Sequence, residues 1–247
     1  MNSPQAFDEE IYQALIGGLE CSEVMLSELC SNKHFRIDSS YYSKKYIQII
    51  SNIKKFGYTK VNKLANQITD FGAFSQTNFI KFQDKGILFL RNQDINNGVV
   101  NTSSNAYISN EIYNKLTLHL QENDILIPRV GTLGDAAMID KKLLPCAANQ
   151  NLAVIRLNKL YNVKCFVIVM LSKIGKEQII KSATGNVQPW LNLDGIGELL
   201  VPNFTNKFQK QIEESKISYD ALILQADKSY TSAETSKTSR RQGKTQA

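Results

Sequence analysis

Asp124-Ile125-Leu126-Ile127-Pro128-Arg129-Val130-Gly131-Thr132-Leu133-Gly134 reads as a buried strand that opens into a tight turn bracketed by glycines and carrying one arginine. Gly131 and Gly134 permit positive φ and a close approach of backbone to a ligand. A second stretch upstream has the same character: Gly86-Ile87-Leu88-Phe89-Leu90-Arg91-Asn92-Gln93-Asp94-Ile95. Both run apolar through a strand and then present a guanidinium or amides at its end. Loops of that kind, held on a rigid sheet, suit the reading of nucleic-acid base edges.

The surrounding texture agrees with a sheet-based fold. From Tyr58 to Leu157, short β-rich runs alternate with Asn, Asp and Gly turns: Ile87–Arg91, Tyr107–Ile108, Ile125–Arg129, Ala136–Ile139 and Leu152–Leu157. A short helix over Asn110–Leu116 interrupts them, and helical patterning returns from Val163 to Ser182. A turn-rich loop, Gly185 to Trp190, then leads to an expected strand over Ile196–Val201, closed by Pro202.

Helices flank this region. Ser3-Pro4 signals a helix start, with Phe7, Ile11, Leu15 and Leu19 near helical spacing. A second helix is expected from Ser40 to Phe56, with Tyr42, Tyr46, Ile49, Ile50 and Ile53 on one face and Gly57 ending it. Lys44, Lys45, Lys54 and Lys55 ride on its other faces as solvated charges.

After Pro202, Phe208, Ile212, Ser215, Tyr219, Leu222 and Ala226 follow a heptad spacing. A lone helix of that length is marginal in water and wants a partner. That partner is the N-terminal helix with Phe7, Ile11 and Leu15, a second chain, or the helix's own domain.

The fold class is therefore α/β (α+β): a globular mixed-sheet domain with N-terminal helices and a long, coiled-coil-like C-terminal helix. The expected divisions are a helical lead-in over 1–57, the sheet domain over 58–202, a spacer or dimerisation helix over 203–227 and a disordered basic tail over 228–247.

Charge does not by itself indicate a nucleic-acid partner. The chain carries a net +6. The last twenty residues hold five cations, Lys228, Lys237, Arg240, Arg241 and Lys244, against Glu234, which leaves only +2 for the rest. The tail is rich in Ser, Thr and Gln, as a solvated end is, and offers phosphate a non-specific contact at most. No apolar run approaches the roughly 18 residues of a membrane span, and the first residues lack the blocks of a signal peptide. Cys21, Cys30, Cys146 and Cys165 are scattered, and only His34 and His119 could join them at a metal. No metal or cofactor is expected, and the setting is read as reducing and cytoplasmic.

Familiar catalytic motifs are absent. The chain has no phosphate-binding G-x-x-x-x-G-K-[ST] loop, no G-x-S-x-G elbow, no H-E-x-x-H pair and no Pro-Pro such as base-flipping adenine methyltransferases use. Asp124 and Asp135 flank the Arg129 turn and could hold a metal ion, but both positions also suit turn-forming carboxylates. The candidate DNA-binding residues are Arg91, Asn92, Gln93, Arg129, Thr132 and Gln188. Arg129 fits a bidentate guanine or phosphate contact, and equally an internal salt bridge to Asp124 or Asp135. Trp190 reads as packing rather than stacking, and Asn149-Gln150-Asn151 as a cluster that satisfies turn amides. No catalytic residue is assigned.

Taken in order, these segments resemble the target recognition domain of type I restriction-modification specificity subunits. They are also similar to the recognition domains of fused type II restriction-methylation enzymes. The stretches Gly86–Ile95 and Asp124–Gly134 resemble two strand-loop signatures of that family. Ala148-Asn149-Gln150-Asn151-Leu152 is similar to the next one. Gly185, Gln188, Leu191, Ile196 and Val201-Pro202 match the closing pattern, with Gln209 and Ile212 opening the helix that follows. Arg36 to Tyr42 resembles the lead-in to such a domain, and the likeness extends from about Tyr12 to Ala226.

The resemblance implies a non-catalytic module that reads half of a bipartite site in double-stranded DNA. It further implies docking onto an adenine-N6 methyltransferase modification subunit, with a restriction motor subunit as a further partner. A full specificity subunit carries two such domains; this chain contains no internal repeat, so residues 58–200 are used once. With Phe208, Ile212, Tyr219 and Leu222 as its seam, a homodimer is the expected way to supply the second domain. The competing readings are a recognition domain split from a fused enzyme, a metal enzyme using Asp124 and Asp135, and a pure adaptor working through the 205–228 helix.

Overall fold

The computed structural model describes residues 22–31, 36–39, 41–70, 80–103, 106–131, 133–185, 187–215, 219 and 221. The helix expected from Ser3, Thr132, Leu222 and the basic tail lie outside the described residues. The chain forms two compact units, residues 1–52 and 53–247.

In the first unit, α1 (Leu26–Ser31) precedes a turn built on Asp38. Arg36 grips the Asp38 carboxylate with two hydrogen bonds, 2.8 and 2.9 Å, and the same carboxylate accepts the Tyr41 amide at 3.0 Å. This turn holds Tyr41 and Tyr42 out of the helix, so α2 spans Lys44–Phe56 rather than starting at Ser40. Lys54 and Lys55 occupy its last turn, where cations suit the helix dipole, and Gly57 at φ 98° ends it as expected. Ile49 and Ile53 are buried.

The second unit is a mixed-sheet domain. Its strands are β1 (Tyr58–Lys60), β2 (Ala65–Thr69), β3 (Ile87–Leu90), β4 (Ile95–Asn96), β5 (Val99–Val100), β6 (Tyr107–Ile108), β7 (Ile125–Pro128), β8 (Ala137–Met138), β9 (Cys146–Ala148), β10 (Leu152–Leu157) and β11 (Leu200–Pro202). Four make an antiparallel sheet in the order β2-β10-β7-β8. Three make a second sheet, β6-β3-β9, in which β3 and β9 run parallel. The hairpin β4–β5 and the pair β1–β11 complete the strands.

The apolar run 125–128 is explained by what lies on each face. Ile125, Ile127, Ala153 and Ile155 pack into one core with Phe166, Val169 and Met170. Leu126, Leu152 and Val154 alternate to the other face and pack with Leu90, Ile139 and Cys146. A strand buried on both sides has no polar positions to alternate. Each fully buried Ile or Leu here contributes about 1.5–3 kcal/mol, which makes β7 and β10 the rigid centre of the domain.

The helices of this unit are α3 (Val61–Leu64), α4 (Asn110–Lys115), α5 (Val163–Leu171), α6 (Lys173–Ser182), α7 (Leu193–Glu198) and α8 (Asn206–Glu214). Cys165 to Leu171 are all buried, so α5 is apolar all round, as a core helix is. The single helix expected over 163–182 is two. Ser172 takes extended dihedrals (φ −67°, ψ 164°) and bonds its hydroxyl back to the Val169 carbonyl at 2.7 Å.

The strand expected over Ile196–Val201 is also corrected. Asn192 caps the Gly195 amide and starts α7, so 193–198 is helical and only Leu200–Pro202 is strand. Buried Gln178 pairs with Leu200 in both directions, Nε2 to O at 3.0 Å and N to Oε1 at 2.8 Å. Its amide stands in for a neighbouring strand.

The C-terminal helix differs most from expectation. α8 ends at Glu214, because Ser215 is extended (φ −65°, ψ 129°), and helical conformation recurs at Tyr219 and Ala221. Gln209 is buried, accepting the Asn162 amide at 2.7 Å and donating to the Phe204 carbonyl at 3.1 Å. Ile212 and Tyr219 pack on the domain's own core, and Tyr219 lies against Gly98, where a Cβ would stand 2.6 Å from the ring. Two of the seam's residues, Ile212 and Tyr219, are thus packed within the chain. Phe208 remains 41% exposed.

Candidate nucleic-acid interface

Three loops from distant parts of the sequence meet at one end of the two sheets. The first leaves β3 at Arg91. Asp94 is only 4% exposed, accepts the Arg91 amide at 2.8 Å and receives its guanidinium at 3.3 Å. With the Asp94 amide donating to the Arg91 carbonyl at 2.9 Å, these bonds shape the 3-10 turn Asn92–Asp94. Asn92 then crosses to the second loop, its Nδ2 donating to the Val130 carbonyl at 2.8 Å, while its Oδ1 is buried without a partner. Gln93 is exposed.

The second loop leaves β7 at Arg129, which is 5% exposed. Its NH1 pairs with the Asp70 carboxylate at 2.5 Å, its Nε donates to the Leu191 carbonyl at 3.0 Å, and its guanidinium stacks over the Trp190 ring at 4.5 Å. The internal ion pair considered for Arg129 exists, but with Asp70, 59 residues away, rather than with Asp124 or Asp135. Gly131 and Gly134 both take positive φ, 79° and 98°, as the turn reading requires. Lys176 of α6 lays its alkyl stem along Gly134, with Cγ 3.2 Å from where a Cβ would be.

The third loop runs from Thr184 to Trp190, which exchange backbone hydrogen bonds of 2.9 and 2.7 Å. Val130 bridges to Trp190 and joins this loop to the second. Gln188 is exposed on it, and Trp190 is a packing residue, as expected. A supporting turn, Asn149-Gln150-Asn151, also takes the structural role expected of it. Asn149 donates its amide to Leu90 at 2.9 Å and accepts the Asn151 amide on Oδ1 at 3.1 Å, while the Asn151 carbonyl receives the Arg129 amide at 2.8 Å.

Of the expected contact residues, the structure therefore gathers Arg91, Asn92, Gln93, Arg129 and Gln188 at one end. Arg91, Asn92 and Arg129 are engaged in holding the loops, whereas Gln93 and Gln188 are exposed. Sequence reasoning missed Asp70 and Asp94. Asp94 had a local signal, three residues after Arg91 at a strand end; Asp70 had none.

Of the two aspartates weighed as metal ligands, Asp135 is half-buried in the turn after Gly134. Asp124 is fully buried, holds Arg156 with two hydrogen bonds of 2.8 Å and accepts the Gln121 amide at 2.8 Å, so both its oxygens are occupied. That pairing raises the Arg156 guanidinium further above its usual range. Burial, with Asp124 adding to it, pushes the Cys146 thiol up to about 12. Among the described residues, no group of three or more His, Cys, Asp or Glu side chains is placed to hold a metal ion, and no helix is long and apolar enough to cross a membrane.

No family profile matches the chain, and no curated protein matches it. Among solved structures, the type IIG restriction endonuclease BpuSI is similar with a TM-score of 0.56 at 13% identity, covering 73% of this chain and 28% of that one. At that identity the likeness is one of fold. A chain from a structure of the type I R-M system, concerned with its complex assembly and conformational transition, gives a TM-score of 0.49 at 13% identity over 79% of this chain. The HsdS subunit from Thermoanaerobacter tengcongensis gives 0.47 at 11% identity over 77%. The chain spans about half the length of these last two, 48% and 46%.

Proposed function

We propose that this chain is a non-catalytic, sequence-specific DNA recognition module of a restriction-modification system, one that directs an adenine-N6 methyltransferase and its restriction machinery to a target site. The observation that carries the reading is the loop cluster. Three segments far apart in sequence are tied together by Asn92 to Val130, Val130 to Trp190 and Arg129 to Asp70. The central one, at Arg129, leaves a strand buried on both faces. A preorganised set of exposed polar loop residues on a rigid base is what base-edge readout needs.

The partner surface in this reading is the aromatic row Phe56, Phe204 and Phe208. Its ring centroids are 5.8 and 4.8 Å apart, with Phe56 63% exposed. Ile212 and Tyr219 are packed on the domain itself, and in this reading the exposed Phe208 serves assembly with the methyltransferase rather than a homodimer. The fold likeness to BpuSI favours a second form of the same reading, a recognition domain split from a fused restriction-methylation enzyme.

The test is selection from a random duplex DNA pool by the purified full chain at low salt. A short enriched sequence is the expected result, and its enrichment should persist as salt is raised while bulk retention falls. A pool that stays random after repeated rounds overturns the proposal. Adding the adenine-N6 methyltransferase should then place methyl groups at that sequence.

A further inference from the structure

Val187 sits at the tip of the third loop and is 100% exposed. An isopropyl group wholly in water adds nothing to the core, so the fold does not account for it. The base of the same loop is firmly fixed. Thr184 and Trp190 pair in both directions, Trp190 also bridges to Val130, and its ring lies on the buried, ion-paired Arg129. Between base and tip, Gly185 turns at φ 98° within 2.8 Å of the Gln188 carbonyl from where its Cβ would be, a conformation suited to glycine. An apolar tip is thus held out on an anchored stem beside exposed Gln188.

Resting on the DNA-recognition reading above, we propose that Val187 is a specificity-determining residue that reads the 5-methyl group of a thymine in the major groove. The chemistry selects this target. An isopropyl group neither donates nor accepts a hydrogen bond, and the apolar group that base edges offer is the thymine methyl, which lies in the major groove. The minor groove presents acceptors and one amino group, none of which valine can satisfy. A minor-groove wedge, the other use of an apolar side chain, relies on longer or bulkier residues that part a base step.

The experiment uses the duplex selected by the unmodified full chain, with each thymine replaced singly by deoxyuridine, which removes only the methyl. One position should weaken binding about fourfold, the loss expected for one buried methyl. Val187→Ala should weaken binding to the thymine duplex and abolish that single-position sensitivity, leaving the others unchanged. Val187→Thr, which keeps the shape and exchanges one methyl for a hydroxyl, should reduce that sensitivity without moving it to another position. Both variants should melt as the unmodified chain does, because Val187 touches no core. Sensitivity to deoxyuridine that survives Val187→Ala, or a duplex insensitive at every thymine, overturns the inference while leaving DNA recognition standing. Failure to enrich any sequence overturns the recognition reading itself.

Discussion

Asn92 donates its side-chain amide to the main-chain carbonyl of Val130 across 38 residues of sequence, and so joins the first and second loops. The same side chain leaves its Oδ1 buried and unpartnered. A hydrogen bond worth roughly 1 kcal/mol is set against an unsatisfied oxygen of similar cost. Asn92→Ala removes both and should change stability by less than about 1 kcal/mol. Asn92→Asp turns an acceptor toward the Val130 carbonyl and should lose about 1–3 kcal/mol. Urea melts compare the two; an aspartate variant as stable as the parent would sink this account of the joint.

Arg129 is a tie rather than an outward-facing reader. Removing it leaves the Asp70 carboxylate, 17% exposed, without its ion pair and Leu191 without its donor. Breaking a buried pair costs about 3–5 kcal/mol, and Asp70's remaining exposure sets the expectation for Arg129→Ala at about 3. Arg129→Lys keeps the charge and loses the fork, so its loss should be smaller. A variant with unchanged melting temperature but lost DNA affinity would return Arg129 to base reading.

The thiols of Cys146 and Cys165 are buried and pushed up to about 12 and about 11, chiefly by burial. At pH 8 both are fully protonated, and the thiolate is the form that reacts. Iodoacetamide at that pH should leave both unmodified in the native protein and label both in denaturant, as peptide mass spectrometry would report. Labelling of Cys146 under native conditions would mean that the core around β9 opens readily.

What the sequence made legible was local. β10 has its expected bounds, and the short strand Tyr107–Ile108 and the helix after Ser109 stand where alternation and capping put them. The misreadings share a cause. Ser172 breaks a helix that propensity would continue, its backbone turning extended while its hydroxyl bonds back to the Val169 carbonyl. Residues 196–198, the first half of the strand expected over Ile196–Val201, are helical because Asn192 caps a helix that begins at Leu193. The strands β1 and β2 and the Asp70 partner of Arg129 depend on pairing across 59 residues or more, which no local pattern encodes. The interface was legible as segments, while the division of its side chains into ties and exposed contacts needed the three-dimensional packing.

The C-terminal segment bears on assembly. Ile212 and Tyr219 were expected to seek a second copy, yet both pack on the domain's own core, and Tyr219 closes over Gly98. Packing those two side chains within the chain leaves less apolar surface for a dimer. The purified protein should sediment as a monomer at tens of micromolar. Ile212→Glu should then lower stability by about 1–2 kcal/mol, in line with loss of a partly buried apolar side chain, without changing the sedimentation coefficient. Gly98→Ala should destabilise as well, since its φ of 89° disfavours a side chain and the new Cβ would meet the Tyr219 ring. Phe208→Glu, on the 41% exposed residue, should leave stability unchanged and weaken co-purification with the methyltransferase. A dimer that Ile212→Glu dissociates without loss of stability would show instead that the seam is a shared interface between two copies.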